Sequence, residues 1–153
     1  MNYNFNNLTT NNNSNFSQSI NMKINENKLQ ELLHNFCSVK TNNEIVINYK
    51  YFKIINTFID KNSILNYLIF IVDNVLKNYD TFIVHVNIEK LTLLEIDKNR
   101  DFIQNMSNIL RDRFPDKLEV CFIYEGSFIF KQVYNLLSLF VDKKTLKKIK
   151  FND

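Results

Sequence analysis

The chain has 153 residues, 45% of them hydrophobic, with 19 Lys and Arg residues against 16 Asp and Glu residues. This length suits one domain with a sizeable core. A net charge of +3 is too small to indicate a nucleic-acid-binding protein, in which a concentrated basic face is expected. Gly and Pro occur once each while Asn, Ile, Lys and Phe are abundant, a bias that an AT-rich genome produces.

The two cysteines, Cys37 and Cys121, show neither a CxxC pair nor metal-ligand spacing. Two reduced cysteines in an intracellular protein are therefore the favoured interpretation, and we expect no metal and no cofactor. The polar start of the chain predicts no secretory signal. The most apolar run, residues 64–76, contains Asp73 and is shorter than the roughly 20 residues of a membrane span. We expect a soluble, cytoplasmic protein.

Taken in chain order, residues 1–22 are polar and Asn-rich, which predicts a disordered leader before a single domain over residues 23–153. A short amphipathic helix follows, because apolar residues recur at helical spacing from Leu29 to Phe36. The β-branched and aromatic run at residues 44–52 predicts a strand. Asn62 or Ser63 is the expected N-cap of the next helix, whose wide apolar face extends to Tyr79.

In the second half, residues 81–88, 117–124 and 148–151 are predicted strands. A helix starting at Asp97 is expected to bury its apolar residues and to stop at Phe114, before Pro115. Residues 127–141 are apolar on almost every side, which predicts a deeply packed helix. Strands alternating with helices predict an α/β fold with a mostly parallel sheet and helices packed on both faces.

No sequence motif assembles a catalytic site. The chain contains no GxGxxG, no GxxxxGK[ST] and no HExxH. Ser127 follows a strand, as a nucleophile elbow would, but Phe128 stands where a small residue is needed, so an N-cap role is favoured. His85, in the middle of a strand without a Cys, Asp or His partner, is expected to be structural rather than a ligand. We therefore expect no enzymatic activity.

A lysine-rich segment near the end of the chain contains Lys143, Lys144, Lys147 and Lys148. On an anionic membrane surface each such lysine contributes about 1 kcal/mol. The same pattern also fits a solvated, lysine-rich face, and the sequence leaves both interpretations open.

Residues 114–151 resemble the C-terminal half of CRAL-TRIO (Sec14-like) domains. That family has an aromatic-Pro-acidic-basic-Leu turn, a strand, a helix and a closing segment with the pattern Asp-x-Lys-Thr-x-x-Lys-Ile. These elements read here as FPDKL, VCFIYEG, SFIFKQVYNLLSLF and VDKKTLKKI. Residues 81–110 are similar to the central strand, loop and helix of the family. The resemblance implies an α/β sandwich whose sheet floors a lipid pocket closed by a mobile gate helix.

The resemblance further implies non-enzymatic binding of a lipid or small hydrophobic ligand, with a phosphoinositide as one candidate. Asp116, Thr145 and Lys148 match positions that help to hold a lipid headgroup in the family. The expected membrane-surface contacts are Lys143, Lys144 and Lys147. The strand exit reads YEG where the family has a proline. The alternative is therefore a protein-interaction or scaffold domain that kept the fold but lost the lipid pocket.

Overall fold

The structure, a computed structural model, describes residues 25–152, so the predicted leader lies outside the described residues. The first half contains helix α1 (Glu26–Phe36), strands β1 (Cys37–Thr41) and β2 (Glu44–Asn48), helices α2 (Tyr49–Ile55) and α3 (Lys61–Leu76), and strand β3 (Phe82–Asn87). The second half contains helices α4 (Leu93–Lys98) and α5 (Arg100–Arg113), strand β4 (Leu118–Tyr124), a 3-10 turn (Ser127–Ile129), helices α6 (Phe130–Phe140) and α7 (Lys143–Leu146), and strand β5 (Ile149–Asn152).

The five strands form one sheet in the consecutive order β1-β2-β3-β4-β5. Strand β1 pairs antiparallel with β2, and every other pair is parallel. The predicted α/β class with a mostly parallel sheet is confirmed. Because crossovers between parallel strands are right-handed and the order never reverses, successive crossovers fall on the same side of the sheet.

Two hydrophobic clusters form the core, and the sheet residues of both lie on one face. Ile45, Val84, Cys121 and Ile149 mark that face, since they are partners in the parallel register. The amino-terminal cluster contains these buried residues: Leu29, Leu32, Leu33, Phe36, Cys37, Ile45, Phe52, Ile55, Ile64, Tyr67, Leu68, Val72, Val75, Phe82 and Phe114. The carboxyl-terminal cluster contains Ile88, Ile96, Ile123, Ile129 and Leu136. Within the described residues, the packed core thus uses one face of the sheet.

Two elements differ from the sequence-based expectation near the start of the sheet. The strand predicted over residues 44–52 ends at Asn48, and Tyr49–Ile55 is a helix. Phe52 and Ile55 recur at helical spacing and are both buried, so packing overrides the β propensity of these residues. Strand β1 was not predicted. It joins β2 through a tight turn in which Asn42 has a φ of 50°.

The helix starts also differ from their predicted caps. Helix α3 is capped by Asp60, whose Oδ1 accepts from the backbone N–H of Ser63 at 2.7 Å, so neither Asn62 nor Ser63 is the cap. Asp97 lies inside α4, which is capped by Thr92 in a capping box with Glu95. Ser127 is the first residue of the 3-10 turn, with Gly126 in the cap position and no side-chain cap hydrogen bond.

The Pro115 turn confirms the predicted end of α5. Phe114 has φ −126° and ψ 57°, outside the helical region. Asp116 has a φ of 60° and the Lys117 N–H donates to the Phe114 carbonyl, which is the pattern of a type II turn with proline at its second position.

Helices α5 and α6 are shallower than predicted. Of the α6 residues only Leu136 is buried, and Leu139 is 65% exposed, so the expected deep packing is wrong. Helix α5 has no fully buried residue. Phe102, Met106 and Leu110 pack half-buried on the amino-terminal cluster. Among the described helices, none is long and apolar enough to cross a membrane.

Candidate functional site

The face of the sheet opposite the two clusters carries a row of apolar side chains. We call it the open face and define it by Val46, Ile83, His85, Val120 and Phe122. These residues alternate along β2, β3 and β4 with the core residues, so their side chains point to the opposite side. All five are half-buried and belong to neither core cluster. The open face therefore offers an apolar floor with one imidazole near its centre.

Polar residues follow the apolar floor at the carboxyl ends of the strands. Asn48, Asn87, Tyr124 and Asn152 are partners in one row of the parallel register. The Asn48 amide donates to the Asn35 carbonyl at 3.1 Å. The Asn87 side chain accepts from the Glu89 N–H at 2.8 Å. A molecule lying on the floor would thus meet hydrogen-bonding groups at this edge.

His85 is held by two side chains from neighbouring strands. Its Nε2 lies 3.0 Å from Glu44 Oε1, and its Nδ1 lies 2.9 Å from the Tyr124 hydroxyl oxygen. The imidazole also stacks on Phe122, with ring centroids 5.3 Å apart and an angle of 18° between the rings. The expectation that His85 is a hydrogen-bonded structural residue fits these contacts. Glu44 and Tyr124 were missed as its partners, because they are 41 and 39 residues away in sequence.

Asp116, a predicted headgroup residue, lies just before β4 at its amino end. Its Oδ1 accepts from Lys144 Nζ at 2.9 Å, and both side chains are about 70% exposed. The hydrogen bond and charge of Lys144 lower the pKa of the Asp116 carboxyl, and Asp116 raises the pKa of Lys144 in return. Such an exposed pair contributes little to stability.

Thr145 and Lys148 bond to different partners. The Thr145 hydroxyl donates to Asp142 Oδ2 at 3.0 Å, and its N–H donates to Asp142 Oδ1, so Asp142 caps α7. These bonds lower the pKa of Asp142, with the backbone N–H as the largest cause. Lys148 Nζ donates to the Leu118 carbonyl at 2.7 Å.

The structure thus brings Asp116, Lys144 and Lys148 together beside the amino ends of β4 and β5, and it places Thr145 in the first turn of α7. Lys143 and Lys147 are exposed on the same short helix and its end. This lysine cluster is separate from the His85–Tyr124 contact, which lies toward the opposite ends of the strands.

The cysteines are not placed for chemistry. Cys37 and Cys121 are free thiols on the core face of the sheet. Burial raises the pKa of the Cys37 thiol far above its usual range and raises that of Cys121 to about 12. Both remain protonated and poorly nucleophilic near neutral pH. Within residues 25–152, no group of three or more His, Cys, Asp or Glu side chains could hold a metal ion.

Comparison with known proteins places this geometry in a family. The CRAL/TRIO domain model matches residues 41–153, which include all but the first helix and most of the first strand. No curated protein matches the chain significantly. The crystal structure of Sfh5 is similar to the chain with a TM-score of 0.67 and 17% sequence identity, covering 79% of this chain and 50% of that chain.

The chain therefore spans half the length of that solved structure, and at 17% identity the likeness shows the fold alone. The family match covers well over half of the 153 residues. The resemblance noted in residues 81–151 is thus confirmed, and the family match begins further upstream, at residue 41. The chain belongs to the CRAL/TRIO domain family.

Proposed function

We propose that this chain binds a lipid or another small hydrophobic molecule on the open face of its sheet, without catalysing a reaction. The CRAL/TRIO family is a family of lipid-binding and lipid-transfer domains. The observation that carries the proposal is the uncommitted apolar floor formed by Val46, Ile83, Val120 and Phe122, all half-buried outside the core clusters. Apolar surface of this kind gains free energy when an apolar ligand removes it from water.

For a ligand with an anionic headgroup, such as a phosphoinositide, the supporting feature is the lysine cluster at the amino ends of β4 and β5. Lys144 is exposed, and Lys148 is fixed by the Leu118 carbonyl. Asp116 partly neutralises Lys144, so an arriving phosphate would have to compete with that carboxylate. The same cluster is the proposed contact with an anionic membrane surface, together with Lys143 and Lys147. The cluster supports peripheral association with membranes, and a cytoplasmic location stays a prediction.

The test is to purify the chain, extract it with organic solvent and identify the extracted molecules by mass spectrometry. We expect a stoichiometric lipid or other apolar compound. Substitution of Phe122→Asp places a carboxylate on the open face and should abolish its retention. The matched control is Leu139→Asp, because Leu139 is an apolar residue 65% exposed on α6, away from the open face. Equal ligand content in both variants would refute the open face as the site.

Headgroup binding is tested separately by flotation with vesicles containing phosphatidylinositol phosphates. Lys148→Ala should weaken the binding, whereas Lys98→Ala, at an exposed position of α4, should not. If the chain does not float with the vesicles and its organic extract contains no lipid, the lipid-binding proposal is wrong.

The alternative is a protein-interaction domain that uses the same fold. The specific observation in its favour is a set of strongly exposed apolar side chains outside the open face, including Leu94, at 82%, and Phe128, at 79%. A partner recovered with the parent chain and lost with Leu94→Ser and Phe128→Ser, but retained with Lys148→Ala, would support it.

A further inference from the structure

A hydrogen-bonded chain of side chains crosses four strands of the sheet. The Thr41 hydroxyl on β1 donates to Glu44 Oε2 at 2.8 Å. Glu44 Oε1 on β2 lies 3.0 Å from His85 Nε2 on β3, and His85 Nδ1 lies 2.9 Å from the Tyr124 hydroxyl on β4. The side chains of Glu44, His85 and Tyr124 belong to neither core cluster.

The ionisation of Glu44 fixes the direction of its own bond with His85. Hydrogen bonds from His85, and then from Thr41, lower the pKa of the Glu44 carboxyl, so it is ionised at neutral pH. An ionised carboxylate can only accept hydrogen bonds, so His85 Nε2 carries a proton and donates it. In the neutral imidazole Nδ1 then has only a lone pair, and the Tyr124 hydroxyl must donate to it.

This arrangement uses the single proton of the Tyr124 hydroxyl. Its oxygen keeps lone pairs that accept hydrogen bonds but has no proton left to give. Tyr124 is half-buried and lies two residues beyond Phe122, toward the carboxyl end of β4 and on the same face of the sheet. The apolar floor therefore ends at a hydrogen-bond acceptor.

We propose that Tyr124, oriented by His85 and Glu44, is a subsite for a hydroxyl or N–H group on an otherwise apolar ligand. This inference rests on the proposed function, since the apolar part of the ligand must lie on the open face. A carboxylate or ether at the same position would bring a second acceptor toward the Tyr124 oxygen and would leave one lone pair facing another. Long-chain alcohols are the simplest ligand class with the required chemistry.

The experiment compares three probes of equal chain length: 1-dodecanol, its methyl ether and laurate. Binding to the delipidated chain is measured at neutral pH by displacement of an apolar fluorescent dye. One net hydrogen bond is worth about 0.5–1.5 kcal/mol, which corresponds to roughly 2- to 12-fold in affinity. We expect the parent chain to prefer dodecanol to the ether by that factor, and to bind laurate less tightly than dodecanol.

Tyr124→Phe keeps the ring and removes the hydroxyl, so it should lower dodecanol affinity by about 2- to 12-fold and should not weaken binding of the ether. Glu44→Gln should reduce the preference for dodecanol in the same direction. Tyr134→Phe is the matched control, because Tyr134 is exposed on α6 and packs edge-on against Phe151. Far-UV circular dichroism and thermal melting establish that each variant is folded.

The outcomes separate the two proposals. If the parent chain binds all three probes with equal affinity, or prefers laurate, the subsite is wrong while binding to the open face stands. A uniform loss of all probes in Tyr124→Phe would also overturn the subsite, because it would show a steric rather than a hydrogen-bonding role. If the parent chain binds none of the probes, both proposals fail.

Discussion

Gly126 is the one glycine of the chain, and its replacement by alanine tests how tightly the turn after β4 is packed. A Cβ at this position would lie 2.5 Å from Ile88 Cδ1 and 2.7 Å from Ile88 Cγ1, well inside the roughly 3.5–4.0 Å of a favourable carbon–carbon contact. Gly126 has a φ of −150°, outside the left-handed region that favours glycine. The penalty is therefore steric, and it falls on Ile88, a side chain only 6% exposed.

We expect Gly126→Ala to lower the free energy of unfolding by about 1–3 kcal/mol, the usual cost of overpacking. Ile88→Ala alone should cost about 2–5 kcal/mol because it leaves a cavity. In the double variant the new methyl enters that cavity. The loss of unfolding free energy in the double variant should therefore be smaller than the sum of the two single losses by at least about 1 kcal/mol. Urea unfolding followed by circular dichroism measures all four proteins of the cycle. A Gly126→Ala variant as stable as the parent, or costs that simply add, would refute the steric explanation.

Three further predictions concern other contacts. Thr92→Ala removes the capping box of α4 and should cost about 1 kcal/mol in the same unfolding assay, whereas Thr57→Ala, which removes one exposed hydrogen bond to the Ile54 carbonyl, should cost less. Tyr67→Phe removes a buried 2.7 Å hydrogen bond to the Cys37 carbonyl and should cost about 1–3 kcal/mol without changing ligand content. Asp116 has a folded-state pKa below the model-peptide value of about 3.9, so its stabilising contribution is present above that pH and is lost as the pH falls through the folded-state pKa. Asp116→Asn, which tolerates the φ of 60°, should therefore flatten the decline of the urea midpoint below about pH 4, and an unchanged slope would contradict this assignment.

Much of the fold follows from local sequence patterns. The strands near residues 82–87, 118–124 and 149–152 were predicted to within about two residues, because β-branched and aromatic runs bounded by polar residues mark them clearly. The end of α5 was also predictable, since Pro115 acts on its immediate neighbour. By contrast, Tyr49–Ile55 has the composition of a strand, and only the burial of Phe52 and Ile55 reveals a helix.

The strand order and the open face were beyond local patterns. Alternating strands and helices are equally compatible with a reversing order, which covers both faces, and with a consecutive order, which covers one. The contact of His85 with Glu44 and Tyr124 depends on that order and on the register, so it was not predictable either. The headgroup residues Asp116, Thr145 and Lys148 came from the family resemblance, and their role stays a prediction.

The division of the core along the sequence has a consequence for synthesis of the protein. All members of the amino-terminal cluster except Phe114 lie within residues 29–82, and the carboxyl-terminal cluster begins at Ile88. With a consecutive strand order, each new strand pairs with one that has already left the ribosome. The first half can therefore collapse while the second is still being translated. Each later βα unit then extends a formed sheet, so the chain can reach its native pairing without waiting for its end.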